Sequence, residues 1–78
     1  PGLTDTPLTS FLQDPALKDL AAAHHALHAF DRAGKPDEIA DVIVFLLSDQ
    51  ARLVHGQAIS VDGGYSAGKW LGRPPGRP

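Results

Sequence analysis

Three histidines have the best spacing in this sequence for a metal site. His24 and His28 are four positions apart, and His25 lies between them. On a helix the first and last would share one face, where two imidazoles can chelate zinc. A zinc site needs a further ligand, and none follows at a recognisable spacing. We therefore predict no metal site and expect a solvated or lid-facing helix surface, with zinc binding as the alternative.

Tyr65 and Lys69 form a Tyr-x-x-x-Lys pattern. On a rigid helix the lysine lowers the pKa of the tyrosine, whose phenol can then exchange a proton with a substrate. Gly68 lies inside the pattern and Gly72 follows it, so a helix is not expected here. We predict that the match is a coincidence of a short motif and that Tyr65 lies in a turn near an interface.

Gly63, Gly68 and Lys69 also resemble part of a phosphate-binding loop. Such a loop needs Ser or Thr after the lysine to bind Mg²⁺, and a helix whose N-terminus faces the phosphates. Trp70 occupies the hydroxyl position, and the proline-rich residues after it cannot supply the helix. Neither motif is predicted to function.

The stretch from Arg32 to Tyr65 organises the chain, and its centre is a helix predicted at residues 36–47. Proline is well placed in a first helical turn, and the two acidic residues that follow it lie near the positive end of the helix dipole. Apolar residues then occupy nearly every side: Ile39, Val42, Ile43, Val44, Phe45, Leu46 and Leu47. A helix with this pattern is predicted to be buried on nearly all sides.

One convincing strand is predicted, at residues 58–61. The strand is almost entirely apolar, as expected of a strand covered on both faces in a parallel sheet. Its backbone N–H and C=O groups need hydrogen-bond partners, and no second strand is visible. We therefore predict the α/β class and expect the rest of the sheet to come from an upstream part of a longer chain or from partner chains.

Two shorter helices are predicted before the organising helix. The first, at residues 7–12, has Thr6 as its cap and would bury Leu8, Phe11 and Leu12. The second, at residues 15–28, is rich in alanine and has Asp14 as its cap.

Turns and termini complete the sequence pattern. Residues 1–6 are predicted to form a loop, and Gly34 to pin another loop before the organising helix. Ser48 and Asp49 offer a cap for a short turn, and Gly56 is a predicted positive-φ position. Residues 1–67 are assigned to one domain portion and 68–78 to an unfolded, flexible tail.

Size and charge restrict the functional classes. The chain has 78 residues, of which 42% are hydrophobic, which fits a small globular unit with a marginal core. The net charge of -2 gives no electrostatic case for binding nucleic acid or an anionic membrane. No apolar run could span a bilayer, and no cysteine is present for a disulfide or a thiolate zinc site. A cytoplasmic protein is expected.

Several groups of residues, in this order and spacing, resemble the C-terminal third of the short-chain dehydrogenase/reductase family. They are Pro1-Gly2 with Thr6-Pro7, the Arg32-x-Gly34-x-Pro36-x-Glu38 pattern, the sequence FLLSD at 45–49 with Gly56-Gln57, and Val61-Asp62-Gly63-Gly64-Tyr65. The resemblance covers residues 1 to about 67. It implies the C-terminal part of a Rossmann-type, doubly wound parallel sheet, and an enzyme that oxidises alcohols or reduces carbonyls with NAD or NADP.

The resemblance also implies a cofactor site in the 1–6 loop, which would close over the nicotinamide half of the cofactor. The expected cofactor-binding residues are Pro1, Gly2, Thr4 and Thr6. Backbone groups of Thr4 would hold the carboxamide, and the Thr6 hydroxyl would contact the carboxamide or the pyrophosphate. Thr4 differs from the family's usual aliphatic residue, although a backbone contact would survive that difference.

Other parts of the family pattern have implications for substrate, partners and completeness. Residues 7–28 would form a mobile lid over a small alcohol or carbonyl substrate. The helix at 36–47 and the strand at 58–61 would build a homo-oligomer interface, in a dimer or tetramer. The resemblance places the family's glycine-rich dinucleotide loop and catalytic Ser, Tyr and Lys before Pro1. No catalytic residue is therefore expected in this chain, which alone is predicted to be inactive.

Two functional classes therefore compete. The first is the C-terminal fragment of an NAD(P)-dependent oxidoreductase. The second is a non-enzymatic interaction module that lends an apolar helix and an edge strand to a partner, which the lone strand and the apolar helix would also explain.

Overall fold

The computed structural model describes residues 1–68. Its first helices each begin with a proline that follows a cap residue. A 3-10 helix spans Pro7–Gln13 with Thr6 as its N-cap residue. A second 3-10 helix spans Pro15–Leu17, and Asp14 caps it by accepting a hydrogen bond from the Ala16 N–H at 2.9 Å. An α-helix, α1, continues directly over Lys18–His25. The first predicted helix is thus a 3-10 helix, and both predicted caps lie where the sequence indicates.

The second predicted helix ends earlier than expected, at His25 rather than His28. The backbone N–H groups of Ala29 and Phe30 both donate to the carbonyl of Gly63, at 2.8 and 3.3 Å. A continuing α-helix would direct these N–H groups back to carbonyls one turn earlier. The chain instead leaves the helix axis and packs against the turn at Gly63, so the prediction for residues 26–28 is wrong.

The organising helix, α2, spans Pro36–Leu46, one residue shorter than predicted. Pro36 begins it, and Asp37 and Glu38 lie in its first turn, as the capping rules indicate. A short 3-10 helix at Asp49–Ala51 follows, with Ser48 as its N-cap residue. Gly56 has a φ of 67°, which confirms the predicted left-handed position.

The strand predicted at residues 58–61 does not form in the described part of the chain. The only β-type pairing within residues 1–68 is an isolated parallel bridge between Thr4 and Gly34. The physical reason is the lack of a neighbouring strand, because a ladder needs repeated hydrogen bonds to a second chain segment. Within residues 1–68, the segment has one backbone hydrogen bond, from the Gly2 N–H to the Val61 carbonyl at 3.4 Å. The described residues are thus mostly helical, as predicted for this part of an α/β fold, but the predicted terminal strand is not formed within them.

Burial within the described residues is slight. Of residues 1–68, only Ala21, Ala51 and His28 are buried. The expected burial of Leu8, Phe11 and Leu12 is wrong, because the first two are exposed and the third is half-buried. The prediction that α2 is covered on nearly all sides also fails within this chain, because helix residues such as Val44 remain 66% exposed when no other layer packs on them.

The remaining sequence predictions concern location and the tail. Among the described residues, no helix has the length and apolar character needed to cross a membrane. The cytoplasmic location stays a prediction. The tail predicted at 68–78 lies, from residue 69 onward, outside the described residues.

Candidate functional site

The 1–6 loop, which carries the predicted cofactor residues, lies against the loop that precedes α2. The Asp5 N–H donates to the Gly34 carbonyl at 2.8 Å, and the Gly34 N–H donates to the Leu3 carbonyl at 2.8 Å. Both backbone groups of Gly34 are therefore used to hold the two residues that flank Thr4. The backbone on both sides of Thr4 is therefore fixed by well-formed hydrogen bonds.

Gly2 is held at the other edge of this loop. A Cβ atom at Gly2 would lie 2.9 Å from the Cβ of Asp62, so the backbone there approaches closer than a side chain allows. This glycine is required by close approach and not by an unusual φ. Pro1, the fourth predicted cofactor residue, is exposed at the start of the loop.

The two predicted threonines have different hydrogen-bond environments. The Thr4 hydroxyl donates to the Gly2 carbonyl at 3.0 Å, while the Thr4 carbonyl accepts from the Thr9 hydroxyl at 2.6 Å. Within residues 1–68 the Thr4 N–H donates no hydrogen bond. The Thr6 hydroxyl makes no capping bond either. A carboxamide needs one donor and one acceptor, and these two groups fit that requirement.

Thr9 is a further residue of this site, beyond those predicted from the sequence. Its hydroxyl oxygen accepts from the Thr6 N–H at 3.0 Å while donating to the Thr4 carbonyl. It therefore joins the start of the first 3-10 helix to the 1–6 loop. The signal was present in the Thr6-x-x-Thr9 spacing, which resembles a capping box with threonine in place of glutamate.

Asp62 organises the turn that contacts Gly2. Its carboxylate accepts from the Gly64 N–H at 3.0 Å, the Ser66 N–H at 3.1 Å and the Ser66 hydroxyl at 2.6 Å. The Ser66 hydroxyl bond is the main cause that lowers the pKa of Asp62 below its ordinary value. The sequence indicated a turn here from its glycines, but not that a carboxylate would build it.

Arg32 and Glu38 form a two-bonded ion pair across the loop that contains Gly34. The guanidinium donates to the two carboxylate oxygens at 2.7 and 2.8 Å. The Lys35 N–H also donates to Glu38, at 2.8 Å. The bond from Arg32 is the largest cause that lowers the pKa of Glu38 from 4.5 to about 2, and the Lys35 bond follows. Residues before and after Gly34 are therefore bonded to the same carboxylate.

The predicted lid contacts the loop through a further side-chain bond. The Gln13 amide donates to the Asp5 carboxylate at 2.9 Å, joining the end of the first 3-10 helix to the loop. Both side chains are exposed, so the bond is open to solvent. The mobility and substrate contact predicted for the lid stay predictions.

The histidines do not converge on a metal. No group of three or more His, Asp or Glu residues among the described part of the chain is arranged to hold one. His28 is 3% exposed, and its Nδ1 lies 2.9 Å from the His24 carbonyl, which requires the proton on that nitrogen. Its ring lies 5.2 Å from that of Tyr65. His28 therefore packs inside the chain, and the solvated surface predicted for it is wrong.

Tyr65 lies in a turn, as the glycines around it predict. Lys69, which both short motifs require, lies outside the described residues, as does Trp70. The turn at Tyr65 is not the rigid helix that the Tyr-x-x-x-Lys chemistry needs.

Comparison with known proteins places most of the chain in one family. Residues 1–66 match a family described as enoyl-(acyl carrier protein) reductase. Cis-4-hydroxycyclohexanecarboxylate dehydrogenase of Sinomonas cyclohexanicum is 45% identical over 67 residues, which are 86% of this chain and 25% of that protein. The 3-oxoacyl-(acyl-carrier-protein) reductase FabG of Thermotoga maritima is 44% identical over 64 residues, which are 82% of this chain and 24% of that protein.

A third relative is 3beta-hydroxysteroid dehydrogenase 2 of Eggerthella lenta. It is 36% identical over 67 residues, which are 86% of this chain and 26% of that protein. The chain thus spans about a quarter of the length of the curated relatives it matches. All three relatives are dehydrogenases or reductases by name.

Proposed function

The chain belongs to the short-chain dehydrogenase/reductase family, and we propose that it forms the C-terminal part of an NAD(P)-dependent oxidoreductase that interconverts alcohols and carbonyls. The observation that carries the proposal is the match of residues 1–66, which includes the entire 1–6 loop. When bound, the nicotinamide ring would accept or supply the hydride, and the catalytic side chains would lie outside this chain.

In this proposal the chain binds and orients the cofactor. Pro1 and Gly2 shape the loop, the Thr4 N–H donates to the carboxamide, and the Thr6 hydroxyl contacts the carboxamide or the pyrophosphate. Support comes from the two hydrogen bonds of Gly34, which fix the residues on either side of Thr4. The choice between NAD and NADP is made elsewhere in such folds, near the second strand.

The proposal is tested by titrating NAD(H) and NADP(H) against the longer subunit that carries this chain. We expect one of the two pairs to bind, and turnover of a small alcohol or carbonyl. Replacing Thr6 by Val should weaken cofactor binding about fivefold, the effect of losing one hydrogen bond, while Thr6→Ser should retain binding. A subunit that binds neither pair, or an upstream coding sequence without a glycine-rich loop and a Tyr-x-x-x-Lys helix, would contradict the proposal.

An interaction role for α2 is the second candidate function, and the exposed apolar side chains favour it. Ile43, Val44 and Leu47 are 53%, 66% and 83% exposed. In the oxidoreductase proposal this face and residues 58–61 form a homo-oligomer interface, in a dimer or tetramer. In a separate interaction module the isolated chain would instead unfold cooperatively and elute as one species in size-exclusion chromatography.

A further inference from the structure

The ion pair of Arg32 and Glu38 spans the short segment that contains Gly34, the residue that bonds to the 1–6 loop. Glu38 accepts from the Arg32 guanidinium on one side of Gly34 and from the Lys35 N–H on the other. Gly34 lies between these two contacts and uses both of its backbone groups to bind Leu3 and Asp5. The Glu38 carboxylate therefore bonds to both neighbours of the segment whose Gly34 backbone holds the loop around Thr4.

From this connection we infer that Arg32 and Glu38 are positioning residues for the nicotinamide cofactor, acting through Gly34 on the 1–6 loop. The inference rests on the proposed function for its cofactor. Neither side chain belongs to the predicted cofactor-binding set, and the pair acts through two backbone hydrogen bonds of 2.8 Å.

Because the ion pair is exposed, a role in positioning the 1–6 loop can be distinguished from a role in stabilising the whole fold. The side chains of Arg32 and Glu38 are 37% and 43% exposed. Exposed ion pairs contribute little to global stability. Loss of the pair should therefore leave most of the fold intact while allowing the segment around Gly34 to move, and displacement of a binding loop can weaken binding out of proportion to stability.

The test compares Glu38→Gln with Asp37→Asn in the longer subunit. Both changes remove one negative charge from the first turn of α2, but the Asp37 side chain forms no hydrogen bond or ion pair within residues 1–68. We expect Glu38→Gln to raise the cofactor Kd about fivefold, the upper range for losing an exposed ion pair. The KM for the alcohol or carbonyl substrate at saturating cofactor should change less than twofold, as should all constants of Asp37→Asn.

Amide hydrogen exchange gives a readout that needs no cofactor. Glu38→Gln should speed exchange at the N–H groups of Asp5 and Gly34, and Asp37→Asn should not. Arg32→Lys keeps the charge but cannot donate two parallel bonds, so it supplies a milder variant if Glu38→Gln does not fold. The cofactor Kd of Arg32→Lys should lie between those of the wild type and Glu38→Gln.

The outcomes separate the inference from the proposed function. Unchanged cofactor Kd in both Glu38→Gln and Arg32→Lys would overturn the inference while leaving the oxidoreductase proposal intact. An equal rise in cofactor Kd and substrate KM, with a matching fall in melting temperature, would also overturn it as a general stability effect. A wild-type subunit that binds neither NAD(H) nor NADP(H) would overturn the proposed function, and the exchange data would still test the contact between Glu38 and the loop.

Discussion

Among single residues, Gly2 is a position where one added methyl group should clash directly with a neighbouring residue. A Cβ there would lie 2.9 Å from the Cβ and 3.2 Å from the Cα of Asp62. Gly2→Ala should therefore cost about 1–3 kcal/mol by overpacking. Gly34→Ala is the matched control, because its Cβ would lie at an ordinary contact distance of 3.6 Å. Urea unfolding of the longer subunit measures both, and equal losses in the two variants would contradict the packing argument.

Glu38 should also make stability depend on pH at the acidic end. Its pKa falls from 4.5 to about 2 in the folded chain, chiefly through the bond from Arg32. A group with a lowered folded pKa stabilises the fold above the unfolded pKa, and this contribution disappears as pH falls through the folded value. Unfolding free energy should therefore decrease slightly between pH 4.5 and about 2, because solvent screening keeps the contribution of this exposed ion pair small.

The control for this pH dependence is Glu38→Gln, which removes the titrating group. Its unfolding free energy should decrease less than that of the wild type over the same interval. Asp62, whose pKa is also lowered, remains in both proteins and contributes equally. Parallel pH curves for the wild type and Glu38→Gln would show that the carboxylate does not contribute in this way.

At the scale of elements, local rules predicted where helices begin better than where they end. Pro36 and Asp14 start or cap elements by bonds within a few residues, so their roles were readable in the sequence. The end of α1 depends on Gly63, more than thirty positions away, which accepts from Ala29 and Phe30. The segment at 58–61 has strand composition but no strand beside it, and composition alone cannot provide a ladder.

The same contrast applies to the candidate site. The residues expected to bind the cofactor came from a family resemblance, whereas the contacts that hold them are of two kinds. Thr9 reaches Thr4 and Thr6 from a few positions away, and the Thr6-x-x-Thr9 spacing carries a signal for this contact. Gly34 reaches Leu3 and Asp5 from another loop, and this pairing requires the folded backbone and could not be derived from spacing.

Thr9→Val should loosen the junction between the first 3-10 helix and the 1–6 loop. The change keeps the shape of the side chain but removes the hydroxyl that serves the Thr6 N–H and the Thr4 carbonyl. A loss of about 1–2 kcal/mol in unfolding free energy is expected for such a capping contact. Ser10→Ala is the control, because the exposed Ser10 hydroxyl donates only to the Pro7 carbonyl. A loss for Ser10→Ala as large as that for Thr9→Val would argue against a special role for this junction.

For the whole molecule, the exposed face of α2 should control self-association of the longer subunit. Only Ala21 and Ala51 are buried apolar residues in the described part of the chain, while Val44 is 66% exposed. Contiguous exposed apolar surface of this kind marks an interaction face. Val44→Glu should shift the subunit toward monomer in light scattering, because a carboxylate would have to be buried without a partner.

Leu8→Glu supplies the matched control for this association experiment. Leu8 is 86% exposed, more than Val44, but lies in the first 3-10 helix, away from the face of α2. If exposed apolar area alone caused association, Leu8→Glu would reduce it as strongly as Val44→Glu. We expect the wild type and Leu8→Glu to share one oligomeric mass, because association depends on the position of the apolar surface and not only on its amount. A monomeric wild type at all concentrations would remove the oligomer from the proposal.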